Sequence, residues 1–365
     1  MIGKAAVLDA CHAAFRIDEI EIDEPRRGEV LVRMVATGVC HTDGLAQHGD
    51  LPFPTPGVLG HEGAGVVAAV GEGVDSVREG DHVVIGWPWC GECRNCLEGQ
   101  PRYCLELGAL VAGGCRGDGT TALRCADGSE LHSHFFGQSS FATHSIVSAS
   151  SLVVVPPEAP LELLGPLACG IGTGAGAVLN ALRPGVGSSI VVFGVGSVGL
   201  AAVMASCCTG ATTIVAVDRH AHRLELAREL GATETIDVNE TDPVEAVKEI
   251  CSGAADFSLE CTGVIPVLRQ AADVVGMRGT CGIVGGAPAN AEFTLDHLTT
   301  LWGKRVVGIL GGEGRSTSLI PALIELQAQG RFPYERLVTT FPLDEINEAL
   351  AASYAGDVLK PVLTL

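Results

Sequence analysis

Basic residues are scarce in this chain of 365 residues: 23 Lys and Arg stand against 43 Asp and Glu, for a net charge of −20. Phosphate backbones are gripped by clustered Lys and Arg, so this balance argues against nucleic acid as a partner. Long apolar runs are missing too, and none approaches the roughly 20 residues needed to cross a bilayer. The opening residues, Met1-Ile-Gly-Lys-Ala-Ala-Val-Leu, lack the extended apolar core and cleavage site of a secretory signal and read as a first strand. Internal repeats and low-complexity segments are absent as well. What is abundant is glycine, with 48 residues, and cysteine, with 14. Without a secretion signal, those thiols imply a reducing, cytoplasmic setting, where they bind metal or pack as small apolar groups.

The densest group of thiols is Cys90-Gly-Glu-Cys93-Arg-Asn-Cys96, followed after seven residues by Cys104. Four cysteines at this spacing fold back around one ion, as in tetrahedral structural zinc sites. The alternative is four buried or disulfide-linked cysteines, but neighbours such as Gly, Arg and Asn pack poorly as core. Four thiolates leave no open coordination position, so such a site holds a lobe together and performs no chemistry.

The length exceeds what one hydrophobic core usually serves, and two domains are expected. Residues 1–37 alternate apolar and polar as strands do, and strand character returns at Val66–Val70, His82–Ile85 and Phe141–Val155. Residues 107–140 carry little periodicity and read as a long surface loop. Near residue 170 the pattern changes to helices and strands in alternation. The strands are Ser189–Phe193, Thr213–Val217, Phe257–Glu260, Thr280–Val284 and Arg305–Ile309. Alternation of this kind makes βαβ units and a doubly wound parallel sheet, so the fold class is α/β. The expected division is residues 1–170 with 310–365 in one domain and 171–309 in the other.

Gly194-Val-Gly196-Ser197-Val198-Gly199 directly follows an apolar strand and opens a helix. In a dinucleotide site the first glycine makes the turn, the second admits the pyrophosphate, and the third lets helix and strand pack. Asp218 lies 19 residues beyond Gly199 at the end of the next strand, where a carboxylate accepts ribose hydroxyls and disfavours a 2′-phosphate. NAD is therefore the expected cofactor, with Arg219 next door pulling the other way. Arg223 points either to the ribose or to solvent.

Further zinc-type ligands, Cys40, His61 and Cys169, each sit beside glycines at a strand end or sharp turn. Spacing alone does not join them. Taken in order, Gly60-His61-Glu62-Gly63-Ala-Gly65, the cysteine lobe and the glycine fingerprint resemble the zinc-dependent medium-chain alcohol dehydrogenases over essentially the whole chain. Within that superfamily, Phe135-Phe-Gly-Gln-Ser-Ser-Phe-Ala-Thr, Leu161-Glu-Leu-Leu-Gly-Pro-Leu-Ala-Cys and Gln329-Gly-Arg-Phe-Pro look most like the aryl (benzyl) alcohol dehydrogenases.

The resemblance implies a GroES-like, mostly-β catalytic domain beside a Rossmann coenzyme domain, two zinc ions per subunit and NAD. Cys40, His61 and Cys169 would hold the catalytic zinc and leave one position open, and Glu62 would lie behind the metal. Asp43 would accept the N–H of His61, and Thr42 would start the proton path. His41 and Lys360 would face the cofactor pyrophosphate, with a plain surface lysine the alternative for Lys360. Leu51, Trp87, Trp89, Phe141 and Ile309 would line the substrate pocket, although the tryptophans also suit packing around the cysteine lobe. At Leu45 better-known relatives carry a histidine that ends the proton path, leaving ribose and water or His48 as the exit here.

The expected activity is reversible oxidation of primary, benzyl-type alcohols to aldehydes by a homo-oligomer, dimer or tetramer, without membrane or nucleic-acid partners. Allylic terpenoid alcohols fit the same walls. A thiol-dependent formaldehyde dehydrogenase is the nearest rival, and it needs a basic cluster near the pocket that the sequence does not display. A non-catalytic NAD- and zinc-binding redox sensor using Cys115, Cys125, Cys207 and Cys208 is the rival from another class.

Overall fold

The computed structural model describes all residues from Met1 to Leu365. The chain divides into two compact units: Met1–Cys169 with Arg315–Ile324 and Glu335–Leu365, and Gly170–Gly314 with Glu325–Tyr334. The first break lies after Cys169, where the sequence reading expected one after residue 170. The tail differs from the expected 310–365, because residues 310–314 and 325–334 belong to the second unit. There Phe332 and Tyr334 are fully buried, and Cys208 Sγ lies 3.7 Å from the Arg331 carbonyl.

The first unit is built on two sheets. A five-stranded sheet runs in the order Gly57–Val58, Ile2–Leu8, Arg16–Ile22, Leu123–Cys125, Glu130–Leu131. A seven-stranded sheet centres on Glu29–Gly38, which pairs antiparallel with Glu62–Val70, His144–Ser148 and the C-terminal strand Lys360–Thr364. Successive side chains of Glu29–Gly38 point to opposite faces. Val30, Val32 and Met34 therefore enter one apolar cluster while Leu31 enters another. A strand buried on both faces is held firmly, and its end is a rigid place to build a site.

Residues 107–140 are not a surface loop. They contain the helix Leu107–Ala112, two strands of the five-stranded sheet, and fully buried Leu131 and Phe135. Strands of two and three residues are too short for alternation to reveal. Phe141–Val155 likewise splits into His144–Ser148 and Leu152–Val154 around a 3-10 turn.

The second unit is a six-stranded parallel sheet ordered Glu234–Asp237, Thr213–Asp218, Ser189–Phe193, Ala255–Glu260, Val275–Ile283, Arg305–Gly308. In chain order this is 3-2-1-4-5-6, the doubly wound arrangement that binds dinucleotides where the order reverses. Every residue of Ser189–Phe193 is buried, as expected of a parallel strand covered on both faces. Arg305–Gly308 lies at the sheet edge with Val307 exposed. No single helix is long and apolar enough to cross a membrane.

Candidate metal centres and dinucleotide site

Strand register builds the first site. Gly38 stands opposite Glu62 on one side and Val362 on the other. That register brings together Cys40, two residues past Gly38, with His61, Glu62 and Lys360. Cys169 ends the 3-10 helix Gly165–Ala168, which passes so close that a Cβ on Gly165 would lie 2.0 Å from the Glu62 carbonyl oxygen. The ligand atoms of Cys40, His61, Glu62 and Cys169 all lie within 4.8 Å of one another.

Asp43 organises the group. Cys40 caps the helix His41–Gln47, and Asp43, in its first turn, accepts the Cys40 N–H at 2.9 Å. Its other oxygen accepts the His61 Nδ1–H at 2.9 Å and the Gly60 N–H at 3.2 Å. Gly60 turns the chain at φ +90° with Phe141 packed against it, which no side chain would permit. Fixing Nδ1 as donor leaves His61 Nε2 buried and without a hydrogen-bond partner, the atom a metal would take.

Charge at the site is tightly balanced. The hydrogen-bonded Cys169, then the Lys360 and His61 charges, hold the Cys40 thiol well below its usual value. That thiolate and burial push Cys169 well up. Burial disfavours a charged His61, but Asp43 and Cys40 outweigh it and raise the imidazole well above its usual value. A divalent cation meets all three demands at once: it deprotonates both thiols and takes the place of the Nε2 proton. Two thiols, one imidazole and an unpartnered ring nitrogen fit zinc with one position open.

Lys360 is neither a surface residue nor turned to a phosphate. It is buried, with Nζ donating to both Glu62 oxygens at 3.0 and 3.1 Å and to the Val39 carbonyl at 3.1 Å. The C-terminal strand lies against Glu29–Gly38, and this draws the ammonium inward. Thr42 Oγ1 lies 3.7 Å from Cys40 Sγ. His41 is exposed at the start of its helix. His48 Nδ1 meets the Gly44 carbonyl at 2.8 Å, and its ring lies edge-on to Tyr354.

The second thiol group is local. The sulfurs of Cys90, Cys93, Cys96 and Cys104 also lie within 4.8 Å of one another. Backbone N–H groups of Cys93, Leu105 and Cys90 donate to the sulfurs of Cys90, Cys93 and Cys104 at 3.3 to 3.4 Å. The Leu105 and Cys96 amides hold Cys93 at about 6, while burial pushes Cys96 up to about 12. All four ionise together only around a cation, and four sulfurs suit a closed zinc site.

In the second unit, a Cβ on Gly199 would lie 2.0 Å from the Gly194 carbonyl oxygen, so only glycine lets the helix Ser197–Cys207 start there. In front of Gly196 space is open, with nothing nearer than an Arg223 nitrogen at 3.9 Å from a Cβ built there. Asp218 is buried at its strand end, accepting the N–H groups of Val195, Arg219 and His220. These amides fix its orientation at the helix mouth.

Residues 26–157 match the alcohol dehydrogenase GroES-like domain, and residues 197–328 match the zinc-binding dehydrogenase family. Geraniol dehydrogenase of Castellaniella defragrans is 42% identical over 99% of this chain and 97% of its own length. The chain belongs to the zinc-binding medium-chain alcohol dehydrogenases. Among solved structures, an alcohol dehydrogenase zinc-binding domain protein from Burkholderia ambifaria is 49% identical, with TM-score 0.99 over 100% of this chain and 99% of the other. Benzyl alcohol dehydrogenase from Acinetobacter calcoaceticus is 42% identical, with TM-score 0.97 over the same shares.

For an alcohol dehydrogenase of this family, the surroundings of the first metal centre matter next. Two residues expected on the pocket wall lie in cores instead. Phe141 is fully buried, edge-on to Phe15, because a bridge between Ala5 and Ala142 draws it inward. Ile309 packs within the nucleotide unit, its Cδ1 2.7 Å from a Cβ built on Gly282. Leu51 is half-buried against the core of the first unit, and Trp89 donates its indole N–H to the Ser150 carbonyl. Trp87 does stand near the metal ligands, through residues to which the sequence reading gave no place at the pocket. Phe136 stacks on the His61 ring at 4.5 Å, and Trp87 meets Phe136 edge-on at 5.0 Å. Arg102 lies over the Trp87 ring at 4.9 Å. The Phe135-Phe136 doublet inside a polar stretch was the one available signal for this wall.

Proposed function

We propose that this alcohol dehydrogenase oxidises primary alcohols, benzyl-type aromatic ones by preference, to aldehydes with NAD, reversibly. The observation that carries this reading is the aromatic wall Phe136–Trp87, which starts on the His61 ring and suits a flat substrate. The likeness to benzyl alcohol dehydrogenase supports it. The geraniol dehydrogenase likeness favours a second reading, an allylic alcohol against the same wall.

Cys40, His61 and Cys169 would hold the catalytic zinc, and Cys90, Cys93, Cys96 and Cys104 the structural one. When bound, zinc supplies Lewis acidity that lowers an alcohol's pKa from about 16 towards neutrality, and NAD accepts the hydride. Thr42 Oγ1, beside Cys40, would act as a relay, accepting the alcohol proton while its own hydroxyl proton passes on to the ribose and water. Asp43 keeps His61 in the tautomer that offers Nε2. Glu62 balances Lys360 and stands within ligand reach of the same centre. Asp218 accepts the ribose hydroxyls and repels a 2′-phosphate. The exposed edge strand Arg305–Gly308 is the candidate join of a homo-oligomer.

Steady-state NAD reduction across benzyl, cinnamyl, geranyl and straight-chain alcohols tests the proposal. Benzyl alcohol is expected to lead the aliphatic series in kcat/KM by at least about tenfold, roughly the worth of one well-packed ring. Geraniol leading would establish the allylic reading. Turnover only of formaldehyde with an added thiol would overturn both.

A further inference from the structure

Three Lys or Arg side chains are buried in this protein: Arg102, Arg116 and Lys360. Two of them are matched. Arg116 donates to both oxygens of Glu29, to Asp23 and to the Thr121 carbonyl. Lys360 is clasped by Glu62. Arg102 has no carboxylate, in a chain with 43 acidic residues to choose from. Its guanidinium makes one hydrogen bond, from Nη2 to Ser316 Oγ at 3.0 Å, and its Nε is buried without a partner. A buried, unpaired charge is among the most costly features a fold can carry, and it persists where something outside the chain completes it.

Its position indicates what that is. Arg102 lies two residues before the zinc-lobe ligand Cys104. The head group spreads over the Trp87 face, at the far end of the aromatic wall that starts on His61. Room for it depends on Gly86, where a Cβ would come within 2.8 Å of Ser316 Oγ. The wall therefore has a Lewis-acid centre at one end and an unmatched planar fork of N–H donors at the other. Such a fork matches a carboxylate geometrically and electrostatically.

We propose that Arg102 is a specificity residue that receives a carboxylate carried by the alcohol substrate on the side of its ring away from the hydroxymethyl group. The inference rests on the aromatic-alcohol reading above and names a narrower substrate class within it, hydroxymethyl-substituted aromatic acids. Hydride and proton transfer are those of the ordinary reaction; the carboxylate is bound, not transformed.

The test compares benzyl alcohol with 3- and 4-(hydroxymethyl)benzoate in the zinc-loaded enzyme with NAD. For the wild type, one of the two acids is expected to show a KM at least about tenfold below that of benzyl alcohol, the worth of one charge-assisted hydrogen bond. In Arg102→Met the ratio of kcat/KM for that acid to kcat/KM for benzyl alcohol is expected to fall by at least about tenfold, through KM and not kcat. Arg102→Lys should recover part of it. A wild-type enzyme that turns over benzyl alcohol but binds both acids more weakly overturns the assignment of Arg102 while leaving the aromatic-alcohol reading intact. Turnover of neither class, with activity on aliphatic alcohols, overturns that reading itself. The wild-type comparison and competitive inhibition by benzoate decide the matter even if the methionine variant fails to fold.

Discussion

The two thiol-rich centres of the first unit use similar ligands in opposite ways. In the lobe of Cys90, Cys93, Cys96 and Cys104 the sulfurs come from 15 consecutive residues, partly accessible, and are oriented by backbone N–H groups. At Cys40, His61 and Cys169 the ligands come from three distant segments, with His61 and Cys169 buried and Cys40 half-buried. Asp43 and the Glu62–Lys360 pair hold them in place. A closed centre needs only a chain that bends back on itself. An open centre must resist collapse around its vacant position, so it is anchored to sheet register and to a buried charge network.

That contrast is broken most directly by removing one sulfur from each. Cys40→Ala is expected to lower turnover by at least about a thousandfold, since the Lewis acid supplies most of the activation. The fold should survive, and bound zinc should fall from two to one per chain by metal analysis. Cys93→Ala should also lose one zinc, but with a fall in thermal midpoint and in soluble yield, because a structural zinc contributes folding energy directly. Equal loss of stability in both variants would erase the distinction.

Next in size is the ion pair behind the first centre. Lys360→Met deprives the buried Glu62 of its ammonium partner, at an expected cost of about 3–5 kcal/mol in denaturant unfolding. Adding Glu62→Gln should restore much of it, the coupling being read from the double-mutant cycle. Asp43→Asn is smaller. It keeps the shape but weakens both the His61 and Cys40 anchors, and about 10–100-fold in zinc affinity or kcat should be lost. The corresponding change in the lobe, Glu92→Gln, touches no anchor and should alter neither.

The same contrast explains how much could be read from the chain. The four-cysteine lobe and the glycine turn with Asp218 are local patterns, and their ligands and spacing were legible as they stood. Cys40, His61 and Cys169 are joined only by strand register and by the 3-10 helix passing Glu62, neither of which spacing reveals; the family resemblance supplied them. Lys360 was assigned to phosphate because nothing in its neighbourhood tells that its strand pairs with residues 36–38, over 300 positions away. Phe141 and Ile309 look like wall residues in one dimension and are core residues in three. Arg102 was invisible for the opposite reason: it is notable for a partner it does not have, and a sequence cannot show an absent contact. The strands within 107–140 were missed because they are short, although Leu123 and Leu131 are buried.

The smallest expected effect separates the two centres by pH. The turn that carries Phe135 and Phe136 onto His61 begins at His134, which sits at φ +65° with Nδ1 2.7 Å from Ser133 Oγ. Burial, helped by the Arg116 charge, pushes its imidazole from 6.5 down to about 4. The unfolded chain therefore takes up a proton between those values that the folded chain refuses. Stability is fully present above about pH 6.5 and is lost progressively as pH falls towards 4, amounting to about 2 kcal/mol at pH 5. His134→Asn keeps a residue that tolerates the left-handed conformation and removes the titration. Thermal midpoints at pH 7.5 and pH 5 should therefore fall by about 2–4 °C less in the variant than in the wild type. Proton competition for the zinc thiolates is common to both proteins and cancels in that difference. A wild type whose acid sensitivity matches that of His134→Asn would mean that the aromatic cover of His61 does not depend on a neutral His134.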